Sequence, residues 1–243
     1  MMGTIADVCG TLPPFQTDYK PVGSTKQVPN SDLIYYDVGS SKKVIFVAYD
    51  VMGMNDNTKQ TVDTLASKGF RCVMPDFYRG DGWKPENDRS QLMAWVSKVG
   101  TWDIVSRDLT TLKPILDSEG TESYGFVGFC WGGKMAMHAS TLSWMKGTCA
   151  THPAWITEED AEKSTCPVLL LPSNGEADMT PVYKVLETKP WGNKSQHVRF
   201  DDMHHGWCSA RADHSNPKNA RRTADAVQLM VNFFSAVLAG SKL

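Results

Sequence analysis

The sequence predicts an α/β fold built on one mostly parallel sheet with helices on both faces. Short apolar runs typical of strands alternate with helical segments along nearly the whole chain. Several of these runs are apolar throughout, a pattern typical of strands that are buried on both faces. Since neither a low-complexity linker nor an internal repeat interrupts this pattern, we expect one domain over residues 1–243, beginning with an irregular arm over residues 1–32.

The predicted strands are rich in β-branched, aromatic and other apolar residues and are bounded by turn-forming residues. They lie at residues 33–38, 43–49, 71–76, 123–129, 147–152, 166–173 and 196–201.

Two of the intervening segments carry clear helix signals. Val62, Leu65 and Ala66 fall at helical spacing, and Gly69 follows as a stop. Near the C-terminus, Asn216 is a suitable cap, and the apolar stripe that follows it predicts a helix packed on the core.

The overall composition is that of a soluble globular protein. Of the residues, 41% are hydrophobic and 21% are charged, and the formal net charge is -2. We therefore expect no nucleic-acid or membrane partner. The six cysteines are widely spaced and contain no CxxC pair, which indicates mostly reduced thiols, and the first residues do not resemble a signal peptide. Together these features predict a cytoplasmic protein.

The stretch "GFCWGG" at residues 128–133 lies where a predicted strand gives way to a helix. A sharp turn there would present Cys130 at the carboxyl end of the sheet, with Gly128 and Gly132 making room for closely passing backbones. The amide of Trp131 would then face a reacting carbonyl as an oxyanion donor. The alternative is structural, because a small buried cysteine between glycines also lets a helix pack against a strand.

A nucleophile at such a turn needs an acid and then a histidine later in the chain. Asp178 follows the strand at 166–173 and is the predicted acid, although the same position suits a helix cap and Glu176 is a nearby competitor. Of the paired histidines, we predict His205 as the base rather than His204, because Gly206 lets the chain turn tightly after it. The four other histidines, His152 among them, are expected to be packed or solvated.

With these residues in place, most of the chain resembles the dienelactone hydrolase (carboxymethylenebutenolidase) family of α/β-hydrolases, in particular its eukaryotic-type members. "GFCWGGK" is similar to the family's cysteine turn, the segment at 152–178 to the one ending in its triad aspartate, and "HHGW" to its histidine element. The resemblance implies an α/β-hydrolase fold and a triad of Cys130, Asp178 and His205.

The resemblance also implies further site residues. Val51 corresponds to the second oxyanion donor, and Asp50 stands where members commonly carry a glutamate that controls the resting thiol. We expect Asp50 to act in substrate binding or gating. Arg79 and Arg211 correspond to arginines that bind a substrate carboxylate, although each also suits a surface ion pair.

The predicted activity is hydrolysis of a small ester or lactone through an acyl-thioester on Cys130, and the substrate is anionic if the two arginines converge on it. It requires no metal or organic cofactor. The alternative is a binding or signalling protein that keeps the scaffold with negligible turnover. A metal site at His204, His205 and Cys208 is disfavoured because the spacing is not that of a tetrahedral site. The sequence leaves open whether the protein is a monomer or a homodimer.

Overall fold

The computed structural model of the protein describes residues 12–239. Within these residues the chain forms eight strands and seven α-helices. In chain order they are β1 (Ser24–Gln27), β2 (Ile34–Val38), β3 (Lys43–Ala48), α1 (Asp56–Ala66), β4 (Arg71–Pro75), α2 (Leu92–Val99), α3 (Trp102–Ser118), β5 (Ser123–Phe129), α4 (Trp131–Ala139), β6 (Met145–Thr151), α5 (Glu158–Lys163), β7 (Val168–Leu171), α6 (Thr180–Glu187), β8 (Gln196–His197) and α7 (Pro217–Val237).

The strands form one sheet in the order β1-β2-β4-β3-β5-β6-β7-β8. The pairs β1–β2 and β2–β4 are antiparallel, and every pair from β4 to β8 is parallel. Nearly all residues of β3 to β7 are buried, as expected for strands covered on both faces. The predicted mostly parallel α/β fold is therefore confirmed.

All seven predicted strands are present, but the irregular arm over residues 1–32 is only partly correct. Residues 24–27 form β1, which pairs with β2, and residues 1–11 lie outside the described part of the chain. The sequence of β1 is "STKQ", and all four of its residues are exposed, so no apolar alternation marks it as a strand. The predicted strand at 196–201 is shorter than expected and continues only as an isolated bridge between Ser173 and Phe200.

Helices cover the two faces of the central strands. A side chain at Gly125 or Gly147 would collide with α7, whereas one at Gly128 would collide with α4. Because Gly125 and Gly128 lie an odd number of residues apart on β5, they face opposite sides of the sheet. The sheet therefore lies between α7 and α4, and the turn from β5 into α4 falls at the carboxyl ends of the parallel strands.

The predicted cap residue Asn216 begins α7, where its side chain accepts hydrogen bonds from the amides of Lys218 and Asn219. The described part of the arm is also anchored. The amide of Phe15 donates to the carbonyl of Ala210 at 2.9 Å, and the Asn57 side chain donates to the carbonyls of both residues. The arm thus contacts the loop that follows β8.

Candidate active site

Cys130 occupies a sharp turn between β5 and α4. Its backbone has φ 54° and ψ −111°, in the left-handed half of conformational space that residues other than glycine rarely adopt. Main-chain hydrogen bonds hold the turn: the Cys130 amide donates to the Thr151 carbonyl at 3.1 Å, and the Cys130 carbonyl accepts from Gly133 at 2.9 Å and Ala154 at 3.0 Å. Such a strained residue at the carboxyl edge of a parallel sheet is a recognised position for a nucleophile.

The glycines around Cys130 are required by close backbone contacts, as predicted. A Cβ atom on Gly128 would overlap the Gly132 carbonyl and lie 2.7 Å from the amide nitrogen of Gly133. A Cβ atom on Gly132 would lie 2.7 Å from the carbonyl oxygen of Tyr49, just after β3. The turn is therefore packed directly against both its own helix and the neighbouring strand.

His205 lies on the loop at residues 203–212, which we call the histidine loop. Gly206 has φ 85° and turns the chain directly after His205, as predicted. The Nδ1 atom of His205 lies 2.6 Å from Oε1 of Glu176, and the ring also forms a hydrogen bond with the Cys130 side chain. Because Nδ1 is occupied by Glu176, the nitrogen that faces the sulfur is Nε2. The structure therefore connects a thiol, an imidazole and a carboxylate by hydrogen bonds. We call Cys130, His205 and Glu176 the relay.

The electrostatics of this relay favour a charged imidazole. Burial disfavours the charge, but the charge and hydrogen bond of Cys130, followed by those of Glu176, outweigh burial and raise the pKa of His205 to about 10. A protonated His205 beside the sulfur stabilises the thiolate, which is the nucleophilic form of cysteine.

The carboxylate beside His205 belongs to Glu176, which corrects the prediction of Asp178. Glu176 is 4% exposed and accepts hydrogen bonds from the Ser173 amide and, at 3.0 Å, from the Ser173 hydroxyl. Asp178 is exposed and accepts from the Thr180 amide at 2.9 Å. That bond, together with the Thr180 side chain, lowers the pKa of Asp178. Asp178 is thus used at the start of α6, and Ser173 supplies the rigidity that the longer glutamate side chain would otherwise lack.

The predicted oxyanion donors lie on either side of the turn. Trp131 is the first residue of α4, where helix amides have no acceptor within the helix, and its indole donates to the Gly100 carbonyl at 2.9 Å. Val51 is buried in the loop after β3, which we call the oxyanion loop (residues 49–55), and its carbonyl accepts from Trp83 at 2.7 Å. Their role as donors stays a prediction.

Asp50 joins the oxyanion loop to the histidine loop. One carboxylate oxygen accepts from the Met52 amide at 2.9 Å, and the other accepts from the Ser209 hydroxyl at 2.5 Å and the Ala210 amide at 3.0 Å. Burial is the largest influence and raises the pKa of Asp50, although these hydrogen bonds oppose it. Because both oxygens are engaged by the protein, the arrangement is that of a brace between two loops rather than of a substrate ligand.

The two predicted carboxylate-binding arginines have different surroundings. Arg79 makes a bidentate pair with the buried Asp108, at 2.7 and 2.9 Å, and a third contact with Asp32 at 3.1 Å. Its predicted role in substrate binding is therefore wrong, because its guanidinium is neutralised by these carboxylates. The partner Asp108 lies on α3, far along the chain, so local sequence gives no sign of the pair.

Arg211, in contrast, has no carboxylate within salt-bridge distance in residues 12–239. It is half-buried, and its guanidinium donates to the carbonyl of His205 at 3.2 Å. Burial lowers the pKa of Arg211. Burial and the Arg211 charge also lower the pKa of the neighbouring His204 to about 4. A guanidinium that forms no direct ion pair within the described residues thus lies beside the relay.

The relay is enclosed in this conformation. Cys130 is 1% exposed and His205 is 5% exposed. A surface cavity of about 510 Å³ lies instead between the arm, α1 and residues 212–215. A substrate therefore reaches the sulfur only after neighbouring side chains move.

Three further properties of the described residues complete the description. Their histidine, cysteine, aspartate and glutamate side chains form no group of three or more placed to hold a metal ion. Within residues 12–239, no helix has both the length and the apolar character needed to cross a bilayer. The five cysteines of this part of the chain are buried and form no disulfide with one another, and Cys9 lies outside it.

A parallel sheet order with a strained residue between β5 and α4, followed along the chain by an acidic residue and a histidine, defines an α/β-hydrolase. The family can be stated as well. The chain belongs to the dienelactone hydrolase family, whose model matches residues 33–238.

Individual relatives agree with this assignment. The chain is 29% identical over 231 residues to an uncharacterized AIM2 family protein of Schizosaccharomyces pombe, covering 88% of this chain and 91% of that protein. It is 32% identical over 101 residues to a carboxymethylenebutenolidase homolog of Xenopus tropicalis, covering 41% of each. The crystal structure of a putative dienelactone hydrolase from Klebsiella pneumoniae superposes with a TM-score of 0.70 at 20% identity, covering 88% of this chain and 98% of that one. The last similarity shows the shared fold.

Proposed function

We propose that this dienelactone hydrolase family member cleaves a small carboxylic ester or lactone, with Cys130 as nucleophile, His205 as acid and base, and Glu176 as the orienting carboxylate. The observation that carries the proposal is the double engagement of His205, which bonds Glu176 through Nδ1 at 2.6 Å and also bonds the Cys130 side chain. This combination favours a thiolate and fixes the tautomer of the imidazole.

The reaction proceeds in two halves. The Cys130 thiolate attacks the carbonyl carbon, and as the tetrahedral intermediate collapses, the carbon–oxygen bond to the leaving group breaks. His205 gives its Nε2 proton to the leaving oxygen, which produces a thioester and a neutral imidazole. Water then loses a proton to Nε2 while attacking the thioester, and breakage of the carbon–sulfur bond releases the carboxylic acid and restores the ion pair.

Backbone amides stabilise the negative oxygen that develops in each half of the reaction. Trp131 at the start of α4 and Val51 in the oxyanion loop are the proposed donors. Loss of one such donor typically costs about 3 kcal/mol of transition-state stabilisation. A sulfur nucleophile favours activated esters with enol-like or phenolic leaving groups, and amides are expected to be poor substrates.

Arg211 supports an anionic substrate. Its half-buried guanidinium lies beside His205 and has no carboxylate partner in the described residues. A guanidinium binds a carboxylate through two parallel hydrogen bonds, which would orient the substrate as well as attract it. The proposed substrate is therefore a small ester or lactone that carries a carboxylate.

Replacement of Cys130 tests the proposal. We expect Cys130→Ala to abolish turnover of 4-nitrophenyl acetate and of an unsaturated lactone, whereas Cys166→Ala, which removes a buried thiol from the segment before β7, should leave both rates within about twofold of wild type. Iodoacetamide should label Cys130 before the other thiols of the folded protein.

Unchanged turnover in Cys130→Ala would overturn the proposal. Negligible turnover in the folded wild type, together with slow labelling of Cys130, would instead favour a binding or signalling protein on this scaffold.

A further inference from the structure

His152 is a completely buried histidine whose ring forms no hydrogen bond with another residue of the described chain. It follows the last residue of β6, its backbone has φ 37°, and its exposed fraction is 0%. Both Nδ1 and Nε2 lack a partner on any other residue within residues 12–239. Sequence alone favours a packed or solvated imidazole here, but packing does not account for two unpaired nitrogens.

Such an arrangement is costly. Burying a polar group without a partner is unfavourable, and most buried polar atoms in proteins are paired. Each exception of this kind calls for an explanation, and a functional role is one of those recognised. The unpaired ring of His152 therefore points to a ligand.

The ring lies beside the relay. The main chain on either side of His152 bonds Cys130 directly: the Thr151 carbonyl accepts from the Cys130 amide, and the Ala154 amide donates to the Cys130 carbonyl. The ring centroids of His152 and His205 are 5.1 Å apart at an interplanar angle of 70°, and Phe129 packs against the other side at 5.8 Å. In the proposed reaction His205 protonates the leaving oxygen, so the leaving group must lie beside the ring against which His152 packs.

The surroundings of His152 also fix its charge. Burial, and then the positive charges of His205 and Arg211, lower the pKa of His152 well below its usual value. A neutral imidazole presents one donor and one acceptor. A hydroxyl group, which can donate and accept at once, matches this pair, whereas a carboxylate is served better by Arg211.

Building on the proposed hydrolase function, we infer that His152 is a specificity-determining residue that hydrogen-bonds an uncharged hydroxyl group on the leaving-group side of the substrate. A substrate that supplies the hydroxyl satisfies His152 as it binds. A substrate without it leaves the ring unpaired, so the site discriminates against that substrate.

Matched esters test the inference. We compare 2-hydroxyphenyl and 3-hydroxyphenyl acetate with phenyl acetate, measuring kcat/KM for wild type, His152→Phe and His152→Asn. Phenylalanine keeps the ring shape without polar atoms, and asparagine keeps a donor and an acceptor and tolerates a positive φ. His197→Phe is the control, because His197 also has a buried, unpaired Nε2 but lies on β8, where it packs against Tyr183.

In wild type we expect a preference for one hydroxyphenyl ester, and His152→Phe should reduce that preference about tenfold. His152→Asn should keep part of it, and His197→Phe all of it. Activity on phenyl acetate and the rate of Cys130 alkylation should stay near wild type in His197→Phe, and for the His152 variants the ratio of kcat/KM for the hydroxyphenyl ester to that for phenyl acetate separates a loss of preference from a general loss of activity. A purely structural role would instead lower the melting temperature of His152→Phe, whereas removal of an unpaired buried polar group should maintain or raise it.

An unchanged preference in His152→Phe overturns the inference while leaving Cys130-dependent turnover intact. If His152→Phe does not fold, loss of the preference in His152→Asn relative to phenyl acetate supports the role, and full retention overturns it. If turnover does not depend on Cys130, the proposed function fails, and this inference fails with it.

Discussion

Two regions of the candidate active site are held in place by different kinds of contact. The turn at Cys130 is fixed by its own main chain and by glycines that let backbones touch. The acid and base are fixed by side chains, since Ser173 holds Glu176 and Glu176 holds His205. Substitutions in the turn should therefore prevent folding, whereas substitutions of the acid or base should leave a folded protein without activity.

Gly128→Ala should have the largest effect. A Cβ atom there overlaps the Gly132 carbonyl, which belongs to the backbone and has no room to move. We expect a loss of more than about 4 kcal/mol in the free energy of unfolding, or no folded protein. Gly120→Ala is the control, because no atom lies within 4 Å of its Cβ position, and it should cost only about 1–2 kcal/mol for its positive φ. Chemical denaturation measures both, and equal losses would contradict the packing argument.

Glu176→Gln should leave the fold intact and reduce kcat by about 10³-fold, because an amide fixes neither the tautomer nor the charge of His205. Asp178→Asn is the matched variant. Asparagine also caps helices, and the carboxylate of Asp178 contacts only the start of α6, so kcat should stay within about twofold. Steady-state kinetics with circular dichroism checks both. A larger loss of kcat in Asp178→Asn would show that Asp178 contributes to the function of His205.

The pH dependence of stability tests the charge on His205. Its pKa is about 10 in the folded protein, above the ordinary value of 6.5. The stability that its proton contributes is therefore fully present below about pH 6.5 and lost as pH rises through about 10. The difference in unfolding free energy between wild type and His205→Gln should be larger at about pH 6 than at about pH 10.5. Equal differences at the two pH values would show that the ring is not held in its charged form.

Arg211→Met should have the smallest effect. We expect kcat/KM for a carboxylate-bearing phenyl ester to fall about tenfold, with little change for a neutral ester of the same phenol. Arg107→Met is the control, because Arg107 is exposed and contacts only Asp108 among acidic residues of the described chain. Equal losses on both esters would assign Arg211 to the support of the histidine loop through its bond to the His205 carbonyl.

The difference between the two regions also explains what the sequence could predict. Strand, turn and helix signals surround Cys130 within a few residues, so the local pattern was sufficient to predict the turn that carries it. The choice between Glu176 and Asp178 depended on how the loop after β7 is folded and on the hydrogen bonds of Ser173. Neither can be predicted from the periodicity of the sequence. The spacing of Asp178, Thr180 and Pro181 is itself a helix-start signal, and it accounts for that carboxylate without any role in the relay.

Other outcomes follow the same rule. The sequence placed the sheet correctly because buried strands are apolar throughout, and it missed β1 because all four of its residues are exposed. Arg79 was misassigned because Asp108, which neutralises it, lies on another element. His152 carried no signal at all, since a histidine before a proline at the end of a strand looks the same whether or not its ring is paired.

The brace at Asp50 has a consequence for how substrate enters. One carboxylate grips the loop that carries the predicted oxyanion donor and the loop that carries His205. If either loop moved alone, the buried carboxylate of Asp50 would lose the hydrogen bonds from Ser209 and Ala210 that join the two loops. Substrate entry past either loop would then displace the predicted oxyanion donor and His205 together. The thioester would therefore not be exposed to bulk solvent while the catalytic residues are in their reactive positions.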